Sequence, residues 1–296
     1  ANQANYASLT PVDFLERAAT TWPQKVAIIH GDIKRTYLEF KSRCRQMASA
    51  LERRGIRKGD VVGIIAPNTP AMLEAHYGVI MAGAVLNALN YRLDPAAIAF
   101  ILDHGGAKIL FVDKEFSSVI EQAVSLMDEP PVLIGIDDHL FSDGTVLGET
   151  EYEDFLTEGD PEFEWPKVID EWDSMALNYT SGTTGNPKGV VFHHRGAFLN
   201  AMGNAIAFGL DSSSSYLWTL PMFHCNGWTF TWAVTAVGGT HVCLRSVDPA
   251  LIFDLIGQHK VSHMCGAPIV LNMLLHAPDG DKKQFEHLVQ IATGGA

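Results

Sequence analysis

Tyr179-Thr180-Ser181-Gly182-Thr183-Thr184-Gly185-Asn186-Pro187-Lys188-Gly189 is the stretch from which the rest of the chain is read. Its eleven residues hold three glycines, four Ser/Thr hydroxyls, one proline and one lysine. The apolar run Met175-Ala176-Leu177-Asn178-Tyr179 leading into it reads as a buried strand. Beyond it, Val190-Val191-Phe192 resumes an extended apolar pattern, and a helix is expected from near His194. A glycine-rich turn leaving a strand can aim consecutive backbone N–H groups at one spot, which makes a concave anion site. Hydroxyls add short-range donors and a hard oxygen for a magnesium ion, and the lysine adds a mobile positive charge. The chemistry that suits this combination is gripping a nucleoside triphosphate. The Walker P-loop is excluded by spacing, because that motif needs Gly-x-x-x-x-Gly-Lys followed by Ser or Thr. Here Asn186-Pro187 separates Gly185 from Lys188, and Gly189 follows the lysine.

The chain around this stretch has 296 residues, 47% of them hydrophobic, enough for a full core and for more than one lobe. The formal net charge of −13 argues against a nucleic-acid partner, since phosphate-backbone binding wants a basic face. Part of that acidity is local, in the carboxylate-rich segment from Asp128 to Asp173. Cys44, Cys225, Cys243 and Cys265 are scattered without Cys-x-x-Cys spacing, which suggests reduced thiols in a cytoplasmic setting. No basic-then-apolar leader and no run of eighteen apolar residues is present, so stable membrane insertion is not expected.

Helices and strands alternate on both sides of the glycine-rich stretch. Thr10-Pro11-Val12-Asp13 reads as a capped helix start, and Thr36-Tyr37-Leu38-Glu39 as a capping box opening a helix through Leu51. Strands are expected at 61–65, 85–89, 109–112 and 132–136, with helices at 70–81, 94–102 and 115–126 between them. Residues 137–170 show no clear periodicity and are expected to cross the surface. After the glycine-rich stretch, strands at 216–220, 242–244, 262–265 and 289–292 alternate with helices at 195–207, 230–237, 249–257 and 269–275. Near-continuous apolar runs alternating with helices argue for an α/β fold whose mostly parallel sheets are covered by helices. Ligands of such sheets sit beyond the carboxyl ends of the strands.

Two further stretches carry chemistry. Pro221-Met222-Phe223-His224-Cys225-Asn226-Gly227-Trp228 follows a strand and gathers a histidine among aromatic residues. Trp228 and Trp232 lie four apart, the spacing of one helical face lining a tunnel. The terminal Ala292-Thr293-Gly294-Gly295-Ala296 places two glycines after a strand, where backbone can approach a ligand closely. His193 and His194 are adjacent, and on a strand they would point to opposite faces, so they are not expected to ligate one metal ion.

The glycine-rich stretch resembles the phosphate-loop signature of the adenylate-forming superfamily, which includes acyl-CoA synthetases, peptide-synthetase adenylation domains and luciferases. The resemblance implies two packed α/β lobes of a large N-terminal domain, one made of residues 1–45 and 216–296, the other of residues 46–215 and carrying the phosphate loop. It also implies that a C-terminal domain with a catalytic lysine lies outside this chain. On the same basis Thr180 coordinates Mg2+ and the phosphates of ATP. Ser181, Gly182, Thr183, Thr184 and Gly185 cradle the β- and γ-phosphates, and Lys188 steadies them. His224 and Trp228 border the acyl group, and Gly294, Gly295 and Ala296 flank the adenylate. Lys188 and His224 act in support, with no certain catalytic residue in this chain.

The resemblance also implies the reaction. A carboxylic acid is activated to an acyl-adenylate and passed to CoA, by an enzyme that is a homodimer in related cases. Amino-acid-activating relatives carry Phe-Asp-x-Ser where this chain has Phe223-His224-Cys225-Asn226. That departure points to an acid without an α-amino group, and Phe-His-Cys-Asn-Gly-Trp looks like the short- and medium-chain ligases, including those for 3-methylmercaptopropionate. The alternatives are an amino-acid adenylation domain and a non-catalytic ATP-binding module. The chain alone is expected to be inactive.

Overall fold

The structure is a computed structural model that describes residues 5–180 and 187–294. After helix α1 (Val12–Thr21), strands β1 (Val26–His30) and β2 (Ile33–Thr36) pair as an antiparallel hairpin. Helix α2 (Tyr37–Arg53) opens with the expected capping box. Thr36 Oγ1 accepts from Glu39 N at 3.2 Å, and Glu39 Oε2 accepts from Thr36 N at 2.6 Å, which satisfies two amide groups that the helix leaves free. The alternation then runs β3 (Val61–Ile65), α3 (Pro70–Met81), β4 (Val85–Ala88), α4 (Pro95–Gly105), β5 (Ala107–Asp113), α5 (Ser117–Val124) and β6 (Val132–Ile136). Thr69 and Asp94 cap α3 and α4 ahead of a proline at the first helical position.

The segment 137–170, expected to cross the surface without clear periodicity, contains a short helix, α6 (Tyr152–Thr157), whose Tyr152, Phe155 and Leu156 are buried. Six residues are too few for a helical period to show in sequence. Strands β7 (Ser174–Thr180) and β8 (Lys188–His193) follow, then α7 (His194–Ala207) and β9 (Ser215–Leu217). The helix Phe230–Ala236, β10 (Thr240–Val242), the helix Pro249–His259, β11 (His263–Gly266), the helix Pro268–Leu275 and β12 (Gln290–Thr293) complete the described chain.

Among the described residues the strands form two six-stranded sheets, ordered β12-β11-β9-β10-β1-β2 and β6-β5-β3-β4-β7-β8. Each is parallel except for one antiparallel hairpin at an end, β1–β2 in the first and β7–β8 in the second. This is the expected α/β class. Helix α2 lies on β1 and β2, α3 lies on β3 and β4, and the two helices pack on each other along the seam between the sheets. Phe40 and Tyr77 meet edge to face there, ring centroids 5.2 Å apart. One apolar cluster therefore draws on both sheets, from Ile28 in β1 to Ile64 in β3.

Two charged clusters cross the same seam. The fully buried Glu74 of α3 accepts from Arg43 Nε at 2.7 Å, from Tyr152 Oη at 2.6 Å and from Arg35. Arg245, just beyond β10, donates to Asp113 at 2.9 Å and to Asp138 at 2.5 Å, both from the β5–β6 side. Buried charges persist only where each has such partners.

Candidate functional site

The glycine-rich stretch begins in β7 and ends in β8, which pair as antiparallel neighbours. Their register pairs Asn178 with Val190, Tyr179 with Gly189 and Thr180 with Lys188. Thr180 and Lys188 thus face each other across the hairpin's base, both exposed to solvent. Ser181, Gly182, Thr183, Thr184 and Gly185 lie outside the described residues, as do Gly295 and Ala296. β7 runs parallel to β4, so the chain leaving β4 at Leu89 and Asn90 emerges beside Thr180, at the carboxyl edge where ligands of such sheets bind.

The opposite wall comes from the other sheet. Beyond β9 the chain is clasped by Asn68, whose Nδ2 donates to the carbonyls of Trp218 (2.8 Å) and Leu220 (3.0 Å) while its Oδ1 accepts from Met222 N at 2.7 Å. The backbone then makes a left-handed turn. Cys225, Asn226, Gly227, Trp228 and Thr229 have φ of 48°, 53°, 61°, 52° and 64°. Left-handed backbone costs roughly 1–2 kcal/mol for each residue with a Cβ, and runs of it are found where surroundings enforce them. Here the enforcement comes from side-chain amides. Asn204 Nδ2 donates to Trp228 O (2.7 Å) and Thr229 Oγ1 (3.0 Å), and Asn200 Nδ2 donates to Thr229 Oγ1 at 2.9 Å. From β7, Asn178 accepts from Asn226 Nδ2 at 2.9 Å and donates to Phe223 O at 3.1 Å.

These walls enclose a cavity of about 220 Å³ lined by Thr180, Tyr179, Asn178, Asn87, Phe223, His224 and Cys225, with Phe192 at its side. Thr180 and His224 therefore share one cavity. A second, more apolar space of about 440 Å³ adjoins it across Phe192 and Cys225, which line both, and is walled by Trp228, Phe208, Phe230 and Ala292. Gly294, one residue past β12, closes on this region. A Cβ there would stand 2.9 Å from Trp228 Cη2, so only glycine lets the backbone lie against the indole.

The structure thus brings Thr180, Lys188, His224, Trp228 and Gly294 to one edge of the molecule. It corrects the helical pairing of Trp228 with Trp232. The left-handed turn breaks the helix before Phe230, and Trp232 is fully buried with Nε1 donating to His76 O at 3.1 Å. Nor do the adjacent histidines face the site. His193 caps α7 by accepting from Gly196 N at 3.0 Å. His194 is buried 2.9 Å from Thr10 Oγ1, and burial pushes its pKa down to about 4.

The asparagines were the residues that motif reading passed over. Asn178 was the legible one, a lone amide inside an otherwise apolar strand, which is a conflict between residue and element that usually marks a special site. In chemical terms, a cavity that presents the hydroxyls of Thr180 and Tyr179 and the amides of Asn87 and Asn178 among apolar side chains opens beside a more apolar one. That pairing suits a ligand with an anionic head and a hydrocarbon tail.

The sequence model of the AMP-binding enzyme family matches residues 15–296. The chain is similar to the peroxisomal acetate/butyrate–CoA ligase of Arabidopsis thaliana, 46% identical over 306 residues that cover 99% of this chain and 54% of that protein. It is also similar to the acetate–CoA ligase of Humulus lupulus, 46% identical over 308 residues covering 100% and 54%. Among solved structures, the inhibitor-bound N-terminal domain of FACL13 from Mycobacterium tuberculosis matches with a TM-score of 0.84 at 26% identity, covering 97% of this chain and 70% of that one. The chain spans about half the length of the curated relatives it matches.

Proposed function

The chain belongs to the AMP-binding enzyme family of adenylate-forming enzymes, and from that premise we propose that the protein carrying it is an acid–thiol ligase. A carboxylate attacks the α-phosphorus of ATP, giving an acyl-adenylate and pyrophosphate, and the thiol of CoA then displaces AMP. The observation that carries this reading is the shared cavity of Thr180 and His224, which adjoins an apolar space across Phe192 and Cys225.

In this reading the hairpin from Thr180 to Lys188 grips the triphosphate, with Ser181, Gly182, Thr183, Thr184 and Gly185 at its tip. Phosphoryl chemistry of this kind is chiefly positioning and charge neutralisation. The exposed hydroxyl of Thr180 suits a magnesium ion that takes most of its ligands from water and phosphate, and Mg2+, when bound, neutralises phosphate charge. His224 and Trp228 border the acyl group, and Gly294, Gly295 and Ala296 flank the adenylate. The lobes 1–45 with 216–296 and 46–215 belong to the same proposal, supported by the strand membership of the two sheets.

The acid we propose is short or medium in chain length and lacks an α-amino group; 3-methylmercaptopropionate is one candidate. Among the described residues lining the two cavities there is no carboxylate to pair with an ammonium group, which would be costly to bury alone. A cytoplasmic homodimer completes the reading. Its cytoplasmic part is supported by the four cysteines, all of them free. No helix among the described residues is long and apolar enough to cross a membrane.

The test is ATP–pyrophosphate exchange by the full-length protein with a panel of acetate, butyrate, 2-methylpropanoate, 3-methylmercaptopropionate and amino acids. Exchange with the simple acids is expected, and Lys188→Ala should reduce it about 10²–10³-fold, the scale on which a single charge-stabilising group acts. ATP binding without exchange for any acid would favour the regulatory-module reading, and exchange confined to amino acids would favour an adenylation domain.

A further inference from the structure

Four of the five left-handed residues from Cys225 to Thr229 carry a side chain, so the turn exists only as far as its neighbours hold it. On the β7 side, among the described residues, two hydrogen bonds of Asn178 do so. Asn226 Nδ2 donates to Asn178 Oδ1 at 2.9 Å, and Asn178 Nδ2 donates at 3.1 Å to the carbonyl of Phe223, the residue preceding His224. Both asparagines are buried. Asn178 stands two residues before Thr180 and Asn226 two residues after His224. The strand that bears the hairpin is thereby tied to the turn that bears the imidazole.

We propose that the Asn178–Asn226 pair is a positioning device that sets the acid half of the site, His224 and Trp228, against the phosphate half at Thr180. The inference rests on the function proposed above. Its chemistry is specific to two amides. Leucine at 178 would leave Asn226 Nδ2 and Phe223 O without partners inside a buried site. Asparagine at 226 also tolerates the left-handed backbone better than most residues, so one side chain serves both the turn and the tether.

The experiment is a double-mutant cycle in the full-length protein, read by pyrophosphate exchange at saturating ATP and at saturating acid. Asn178→Leu removes one side of the link. Asn226→Gly removes the other while leaving a residue at ease with positive φ, so the backbone itself is not challenged. Each variant should lower kcat/KM for the preferred acid about ten- to a hundredfold while KM for ATP stays within about twofold, and the double variant should be no worse than the weaker single within about threefold. Losses that multiply in the double variant, an ATP KM that rises as far as the acid KM, or an unimpaired Asn226→Gly would each overturn the pair's role. Should Asn178→Leu fail to fold, Asn226→Gly alone decides it through the same split between acid and ATP. Exchange by the wild-type protein with an unmoved acid kcat/KM in the variants refutes this inference alone, whereas no exchange by the wild type refutes the proposed function and the inference together.

Discussion

Gly227→Ala is the substitution whose effect the structure defines most closely. Gly227 has φ +61°, and a Cβ built there would stand 2.5 Å from Trp218 Cζ3 and 2.8 Å from its Cη2. The indole has little room to yield. Trp218 is fully buried, its Nε1 meets His241 Nδ1 at 3.1 Å, and its ring stacks on that imidazole at an interplanar angle of 6°. Left-handed backbone with a Cβ costs about 1 kcal/mol and overpacking a rigid core typically another 1–3 kcal/mol, so the sum is roughly 2–4 kcal/mol. At about 2–3 °C per kcal/mol for a chain of this size, the melting temperature should fall by roughly 5–10 °C. Gly209→Ala is the matched control, because Gly209 has φ +65° but its Cβ would meet nothing within 4 Å. That variant should lose only about 1 kcal/mol from its backbone. Thermal unfolding of both variants beside the wild type, with exchange activity measured on each, makes the comparison. If Gly227→Ala melts within a degree or two of Gly209→Ala, the turn is not seated on Trp218 as described, and the account of how His224 is held fails with it.

Three other outcomes are expected. The described chain by itself should bind nucleotide weakly at most and make no acyl-CoA, and thioester formation by the pure 296-residue polypeptide would refute the assignment of further catalytic groups outside it. Burial lowers the pKa of His76 and His194 to about 4 and of His241 to about 3 from 6.5, so the unfolded chain takes up these protons first. Their contribution is complete above pH 6.5 and is lost as pH falls through about 4 for His76 and His194 and about 3 for His241, on the order of 3–5 kcal/mol per imidazole, and an unfolding series in which His241→Gln leaves that slope unchanged would count against it. Glu74→Gln leaves two guanidinium groups without their buried counter-charge and should cost about 3–5 kcal/mol in urea unfolding, while KM for ATP and acid stays put because none of the cluster's residues lines either cavity.

Much of this was legible in the chain itself, for identifiable reasons. The parallel sheets announced themselves through apolar runs such as Val61–Ile65, and the caps through Thr36 with Glu39 and through Asp94-Pro95, all local chemistry that acts within a few residues. What escaped depended on contacts distant in sequence. Helix α6 is too short to show a period and is defined by Phe155 and Tyr152 meeting the rest of the core. Trp228 and Trp232 have helical spacing, yet amides 24 and more residues upstream hold the chain between them in the opposite hand. Spacing could not reveal that, because asparagine hydrogen bonding across elements leaves no periodic trace.

The choice of asparagine also follows from charge. The chain carries a formal −13, and the ligands proposed for it, a triphosphate, a carboxylate and CoA, are all anions. An aspartate at 178 would still accept from Asn226 Nδ2 but could not donate to Phe223 O, and it would set a negative charge in the wall shared by Thr180 and His224, where screening by water is weakest. At an effective dielectric of about 20, one unit charge 4 Å from another is worth about 4 kcal/mol, enough to cancel much of what a phosphate loop provides. Amides supply both the donor and the acceptor without that field. Asn68, Asn178, Asn200, Asn204 and Asn226 make the site's framework neutral, while the acidic surplus stays on surfaces such as 128–173. On this reasoning Asn178→Asp, which keeps the acceptor for Asn226, should weaken binding of the acid anion more than Asn178→Leu does, and an aspartate variant that binds the acid better than the leucine variant would show that geometry, not charge, dictated the amide.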